Sequence, residues 1–322
     1  MAVDANTGIT YSDNTIREDL QDAENLLDVW ETPFISMIAK DGTASNTLHQ
    51  WPKVKLTAAS STNRRIEGDD NLAASATDYS LKMANYTQIS SKVISVSDTT
   101  QWVDGAADIE KLSKQISYKL KELKTDKETM MLANVAAAPG TSSTARFAAG
   151  LAAFWIANTS RGAGAGANPT LSGTTQGYPN LAAVAGTSRA ITEAFLRTVI
   201  QSCWAAGGEP KYALCGPSVK NTISTTFTGA ATRYKDADSK KLVNSIDVYE
   251  SDFGQLQIVP DRYGAASDVH VIDPKYVGIH YGQPTTQKPL ARTGLSEKRL
   301  IECEYTLWVG NADSGGVVAD VT

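Results

Sequence analysis

The chain has 322 residues, a formal charge of −5 and a pI near 5.3. Its length allows one large domain or two ordinary ones around a substantial core. The acidic balance argues against a nucleic-acid-binding face over the whole molecule, because such binders present a basic stripe. Cys203, Cys215 and Cys303 have no paired spacing, so buried thiols in a reducing compartment are expected. Met1 to Thr15 has no apolar core flanked by basic residues, and no run of about 18 apolar residues occurs. The expectation is a soluble protein made in a cytoplasm, without signal peptide or membrane partner.

Residues 1–46 read as an arm. Leu20, Leu26, Leu27 and Trp30 lie among acids and suggest a short helix that Thr32-Pro33-Phe34 stops. Phe34, Ile35, Met37 and Ile38 then form an apolar cluster, an anchor onto the main body or onto a neighbouring molecule. Leu48 to Leu56 alternates, with Val54 and Leu56 on one face and Trp51, Lys53 and Lys55 on the other, which is strand spacing. Pro52 makes it an edge or kinked strand. Tyr79, Leu81 and Met83 continue the alternation on the return, followed by Ile89 and Val93. Ile94 and Val96 fall out of phase, so a bulge or bend is expected near Lys92. The intervening residues, Ser60 to Ala76, are polar and carry a mixed-charge tip of Arg64, Arg65, Glu67, Asp69 and Asp70.

A helix is predicted over 106–138, capped by Asp104 and ended by Pro139-Gly140. At that length it would run about 50 Å, against a radius of gyration of roughly 20 Å for a compact chain of this size. Its apolar face is Ile109, Leu112, Ile116, Leu120, Leu123 and Met130, with a gap at Lys127. Glu110 precedes Lys114 by four residues, a small favourable pairing. Met131, Leu132 and Val135 leave the stripe, so no sustained heptad supports a two-chain coiled coil. One broad face packed on a sheet fits better. A projecting ribbon beside so long a helix cannot bury its own apolar residues, which points to a chain that tiles with copies of itself.

Leu151, Phe154, Trp155 and Ile156 make a short buried segment, and 160–188 is a Gly/Ala-rich insertion. Thr192 caps a helix through Ala206 with Phe195, Leu196, Val199, Ile200 and Cys203 inward. A short strand, Tyr212 to Cys215, precedes a helix opened by Pro217. Thr228 to Lys241 is a polar, charged loop. Strand-like runs follow at Ile246–Tyr249, Leu256–Val259, Val269–Ile272 and Val277–Tyr281, and Leu300 to Val309 returns as a half-buried strand.

Catalytic chemistry is looked for and not found. A nucleophilic cysteine needs a His base and an orienting acid, and the histidines are only His49, His270 and His280. His270, between Val269 and Val271, reads as a satisfied structural histidine. Cys215 before Gly216-Pro217 lacks the rest of a nucleophile turn. Asp252-Phe253-Gly254 is a turn, and Gly162, Gly164 and Gly166 lack the strand-then-helix context of a phosphate cradle. No cofactor, metal or catalytic residue is expected.

The order of arm, hairpin, long helix, α/β module and returning strand resembles the tailed-phage major capsid proteins of the Hong Kong 97 type, closest to the podophage-like major head proteins. The matching stretches are Thr32-Pro33-Phe34, Lys121-Glu122-Leu123 with Asp126, Trp204 followed by Gly207-Gly208, and Gly216-Pro217 with Lys220. They continue with Val248 to Gly254, Asp261-Arg262, Asp273-Pro274, and Thr293-Gly294 before Glu302 to Leu307. The stretch from Gly162 to Gly186 departs from that pattern.

The resemblance implies an α+β capsid fold with an arm (1–46), an extended β-hairpin loop (47–98) and a peripheral domain (99–189) holding the spine helix. An axial domain (190–282) and a return to the peripheral domain (283–322) complete it. It further implies hexamers and pentamers of an icosahedral virion, assembled in a host cytoplasm around double-stranded DNA that is not specifically recognised. Portal and decoration proteins are implied as partners, with a separate scaffold protein or none. The residues expected to touch a neighbouring subunit are Arg64, Arg65, Glu67, Asp69, Asp70, Phe34 and Trp51. The rival readings are a cellular encapsulating shell of the same fold and, further off, an α/β hydrolytic enzyme.

Overall fold

The structure, a computed structural model, describes residues 31–38, 40–54, 56, 59–68, 81–103, 108–109, 111–174, 176–227, 246–264 and 266–322. In chain order come α1 (Pro33–Met37), β1 (Lys40–Thr43), β2 (Leu48–Pro52), β3 (Lys82–Tyr86), β4 (Gln88–Ser97), α2 (Asp98–Trp102) and α3 (Leu112–Leu132). The Gly/Ala-rich region contributes β5 (Thr159–Ser160), β6 (Thr170–Leu171) and β7 (Pro179–Leu181). Then follow α4 (Glu193–Ala205), β8 (Tyr212–Cys215), α5 (Pro217–Thr226), β9 (Val248–Ser251), β10 (Gly254–Pro260) and β11 (Val269–Ile272). Last are β12 (Val277–Pro289), β13 (Ser296–Val309) and β14 (Gly316–Val318). The expected helix before Thr32, the cap Asp104, the pair partner Glu110, the return residue Tyr79 and the loop 228–241 lie outside the described residues.

Two sheets organise these elements. One has the order β1-β12-β13-β4 and the other β5-β14-β11-β8-β10-β9. In the first, β13 pairs antiparallel with both β12 and β4, and α3 packs across β4 and β13. Its core is a continuous cluster including Phe34, Trp51, Ile94, Leu123, Phe154, Trp155, Tyr305 and Leu307. The second sheet mixes parallel β8–β10 with antiparallel β8–β11 and carries α4 and α5 over Ile200, Cys203, Val219, Ile223 and Val271. The strand β12 runs straight through the expected boundary at 282, and β14 closes the chain in the second sheet.

The spine helix is 21 residues long, shorter than the expected 106–138. It leaves helical geometry at Ala133, whose backbone is extended. The alanine-rich run that follows has high helix propensity, but long-range partners outbid the next turn. Asn134 exchanges two side-chain hydrogen bonds with the Ala183 backbone, Ala137 N–H donates to Pro179, and Ala138 pairs with Phe147. Leu112, Ile116, Leu123 and Met130 face the core as read, whereas Ile109 and Leu120 are exposed. Met131 and Leu132, off the stripe, are buried because the C-terminal end of the helix is surrounded on more than one side.

No bulge occurs at Lys92. The register of β4 against β13 is unbroken from Gln88↔Tyr305 to Ser97↔Ser296. Ile94 and Val96 lie buried on one face, while Ile89 and Val93 stand exposed on the other, so the phase change marks two faces of one regular strand. The strand β12 extends eight residues beyond Tyr281, through polar residues without alternation and two register shifts, held by β13. The Gly/Ala-rich segment packs closely on itself: a Cβ added at Gly162 would sit 2.0 Å from the Thr187 carbonyl oxygen.

Phe34 is fully buried in the first core. Phe34→Ala is expected to cost about 3–5 kcal/mol by leaving a cavity, read as a drop in unfolding free energy by urea titration.

Candidate subunit interface

The hairpin of β2 and β3 is bolted to the body at its root. The Trp51 indole N–H donates to the Val309 carbonyl at 3.0 Å, and the Lys53 ammonium lies 2.9 Å from the Asp313 carboxylate. Asn85 donates to the Leu307 carbonyl and accepts from the Ala149 N–H. His49 and His280 share a 2.7 Å hydrogen bond, and His280 stacks on Trp308. Burial lowers the pKa of His49 and so favours its neutral form.

The two faces read from the alternation are kept at this root. Trp51 and Lys53 are buried, whereas Val54 and Leu56 are 54% and 78% exposed. A lysine can point inward here because Asp313 neutralises it. Arg64, Arg65 and Glu67 are exposed, as expected of an outward tip, and Ile66 beside them is 82% exposed. Asp69 and Asp70 lie outside the described residues. Phe34 and Trp51, expected at a neighbour, pack instead into their own subunit.

What holds Phe34 there is a residue off the predicted apolar stripe, Glu128. Glu128 is fully buried and accepts the backbone N–H groups of Phe34 at 2.6 Å and Ile35 at 2.9 Å. Burial raises its pKa to about 7, against the two amides, with Asp261 adding to the rise. Glu128 thereby fastens residues 33–37 to the spine helix. A Glu one step beyond the Lys127 gap, next to Met130 and Met131, was the available signal.

Nothing among the described residues is prepared for covalent catalysis. Burial pushes the Cys203 thiol up to about 12 and Cys215 to about 11, and raises Cys303, so all three are protonated thiols. His270 is buried as expected, but neither ring nitrogen has a hydrogen-bond partner among the described residues. Its burial lowers the pKa and keeps it neutral. The Gly162 N–H, which a phosphate cradle would need, is taken by Asp320 at 3.0 Å. Asp252-Phe253-Gly254 is the β9–β10 turn, with Gly254 at φ +131. Among the described residues no cluster of three metal-ligating side chains exists.

The described residues thus present an exposed ribbon on a hydrogen-bonded root and, among them, no reactive centre. Residues 4–322 match the model of the SU10 major capsid protein family. The chain belongs to that family. It is therefore a phage major capsid protein, a structural component of the virion and not an enzyme. The major capsid protein of Escherichia phage Phieco32 is 29% identical over 132 residues, 40% of this chain and 36% of that relative. The Cyanophage A-1(L) capsid asymmetric unit superposes with a TM-score of 0.65 at 14% identity, covering 95% of this chain and 97% of the other. The SrpI encapsulin of Synechococcus elongatus PCC 7942 gives 0.51 at 11% identity, covering 92% of each. At such identities the likeness concerns the fold, which is the Hong Kong 97-type capsid fold.

Two outcomes follow from the buried groups. The Glu128 carboxyl keeps its proton to about pH 7 when folded, whereas the unfolded chain ionises near 4.5. Between those values only the unfolded state ionises at this position, so the stability Glu128 contributes is fully present below about 4.5 and is lost as pH rises to about 7, roughly 3 kcal/mol in all. Glu128→Gln should remove this slope in denaturant midpoints measured at pH 5 and pH 8. The native capsid protein should leave Cys203, Cys215 and Cys303 unreacted with an aromatic disulfide reagent at pH 8, and titrate all three once denatured.

Proposed function

We propose that copies of this chain associate into hexamers and pentamers of a closed icosahedral head around double-stranded DNA, built in the host cytoplasm. The carrying observation is the exposed apolar set on the ribbon, Val54, Leu56 and Ile66, projecting from a root made rigid by Trp51, Lys53, Asn85 and His49. Apolar groups at such exposure favour a partner surface, and the family supplies the partner: another copy of the same chain. In this reading the part of 47–98 beyond the β2–β3 root lies over an adjacent subunit, with Arg64, Arg65, Glu67, Asp69 and Asp70 as tip contacts, while β2, β3 and β4 stay on their own body. The α3 helix with the four-stranded sheet forms the peripheral part, and α4, α5 and the six-stranded sheet form the axial part at the capsomer centre.

Each subunit in a closed lattice makes several interfaces, and a standard one buries about 1,600 Å². Individually modest contacts then suffice through avidity. The acidic chain holds the packaged DNA without reading its sequence. Portal and decoration proteins, with a separate scaffold protein or none, are the further partners of this reading. Electron microscopy of the purified chain should show capsomers or shells. Removing residues 58–76 should weaken assembly while leaving a subunit with unchanged circular dichroism. Solitary particles at every concentration and salt would overturn the reading.

A further inference from the structure

Among the described residues, no strand pairs with the outer edge of β4. The strand closes one side of the four-stranded sheet and spans ten residues. The direction of its backbone groups follows from its two ends. Asp98 N–H donates to Leu295 at 3.1 Å, continuing the register in which Ser97 opposes Ser296. In an antiparallel ladder bonded pairs alternate with non-bonded ones, so the even-numbered residues of β4 bond to β13. The odd-numbered residues point their N–H and C=O groups away from the sheet. The other end agrees: Thr87 turns its N–H to Thr47 and its carbonyl to Arg146, away from β13. Ile89, Ser91, Val93 and Ser95 have the same orientation, yet their N–H and C=O groups have no hydrogen-bond partner among the described residues.

This edge also lacks the usual protection. It has no proline and no bulge. Its one charge, Lys92, is directed to α3, 2.7 Å from Asp126 and 3.6 Å from Glu122. A cleft of about 440 Å³ opens beside it, lined by Val93 to Ser97 with Gln115 and Lys119 of α3. A long, regular, undefended edge with exposed Ile89 and Val93 is complementary to one thing, another extended strand.

The chain itself carries a candidate for such a strand. Past the last β2–β3 rung and the Lys53–Leu81 backbone bond, Val54 and Leu56 stand exposed at the two-residue spacing of a pleat. Neither makes a hydrogen bond to a described residue. We propose that the open edge of β4 receives the Val54–Leu56 segment of a second copy of this chain as an added strand. The proposal rests on the shell reading, in which neighbouring copies hold that segment at high effective concentration. Three residues span two adjacent outward positions, such as 91 and 93, whose main-chain bonds supply the attachment, and Val93 with the flanking Ile89 meets the incoming apolar side chains.

Val93→Pro removes an outward N–H without touching a rung to β13. It should raise the concentration needed for assembly about tenfold or more, with the urea midpoint of the isolated subunit little changed. Independently, Leu56→Cys chains co-assembled with Val93→Cys chains should form an inter-chain disulfide under mild oxidant, seen as a dimer on a non-reducing gel. The native cysteines are buried and do not compete. If V93P misfolds, the disulfide decides alone: its absence overturns the proposal. Wild-type shells that form while V93P assembles normally and no disulfide appears overturn the strand docking and leave the shell reading intact. A wild-type chain that never assembles overturns both.

Discussion

The pairing of β13 with β12 on one side and β4 on the other is the constraint on which the rest depends. It joins segments about two hundred residues apart in the chain, such as Val93 and Leu300. The sheet so formed is the bed for α3, through Ile94, Val96, Ile301 and Tyr305. Its Val309 end holds Trp51, and its β12 neighbour holds His49 through His280. The root of the ribbon is therefore as rigid as the sheet. The same topology leaves β4 without a second neighbour, so the interaction that completes the subunit also leaves an edge unfinished.

Rigidity and incompleteness belong together in a capsid subunit. A ribbon on a loose root would spend association free energy on its own ordering. Here the ordering is done by hydrogen bonds to side chains at fixed positions, Asn85 to Leu307 and Ala149 and Lys53 to Asp313. What remains exposed beyond the root, Val54, Leu56 and Ile66, is free to engage a partner without reorganising the body. The protonated thiols and the neutral, buried His270 fit the same picture of a chain whose chemistry is contact.

The buried polar groups are placed where distant segments must be held in register. Glu128 spends its carboxylate on two amides of a five-residue helix that has no side-chain cap of its own. Lys127, its neighbour, lies 5.5 and 5.9 Å from the rings of Tyr281 and Tyr305, on β12 and β13. One turn of the spine helix thus grips the N-terminal anchor with one residue and the central sheet with the next. Hydrophobic burial alone would tolerate several positions of that anchor, whereas two directional bonds select one.

Local pattern decided much of this protein before any folding. Alternation located Val269 to Ile272, the C-terminal strand and a first strand expected over Leu48 to Leu56 that ends at Pro52, and Thr192, Pro217 and the inward stripe of Leu196, Val199, Ile200 and Cys203 located α4 and α5 nearly to the residue. The order of these pieces also pointed to the capsid family. Tertiary structure decided what pattern cannot carry. It ended the spine helix at Leu132, because Asn134 and Ala137 found backbone partners at Ala183 and Pro179 that no local window contains. It turned Trp51 and Lys53 inward, because a carbonyl at Val309 and a carboxylate at Asp313 lie on that side. Periodicity records which residues share a face. Which face is covered, and by what, is set by non-local partners, and those exist only once the chain has closed on itself.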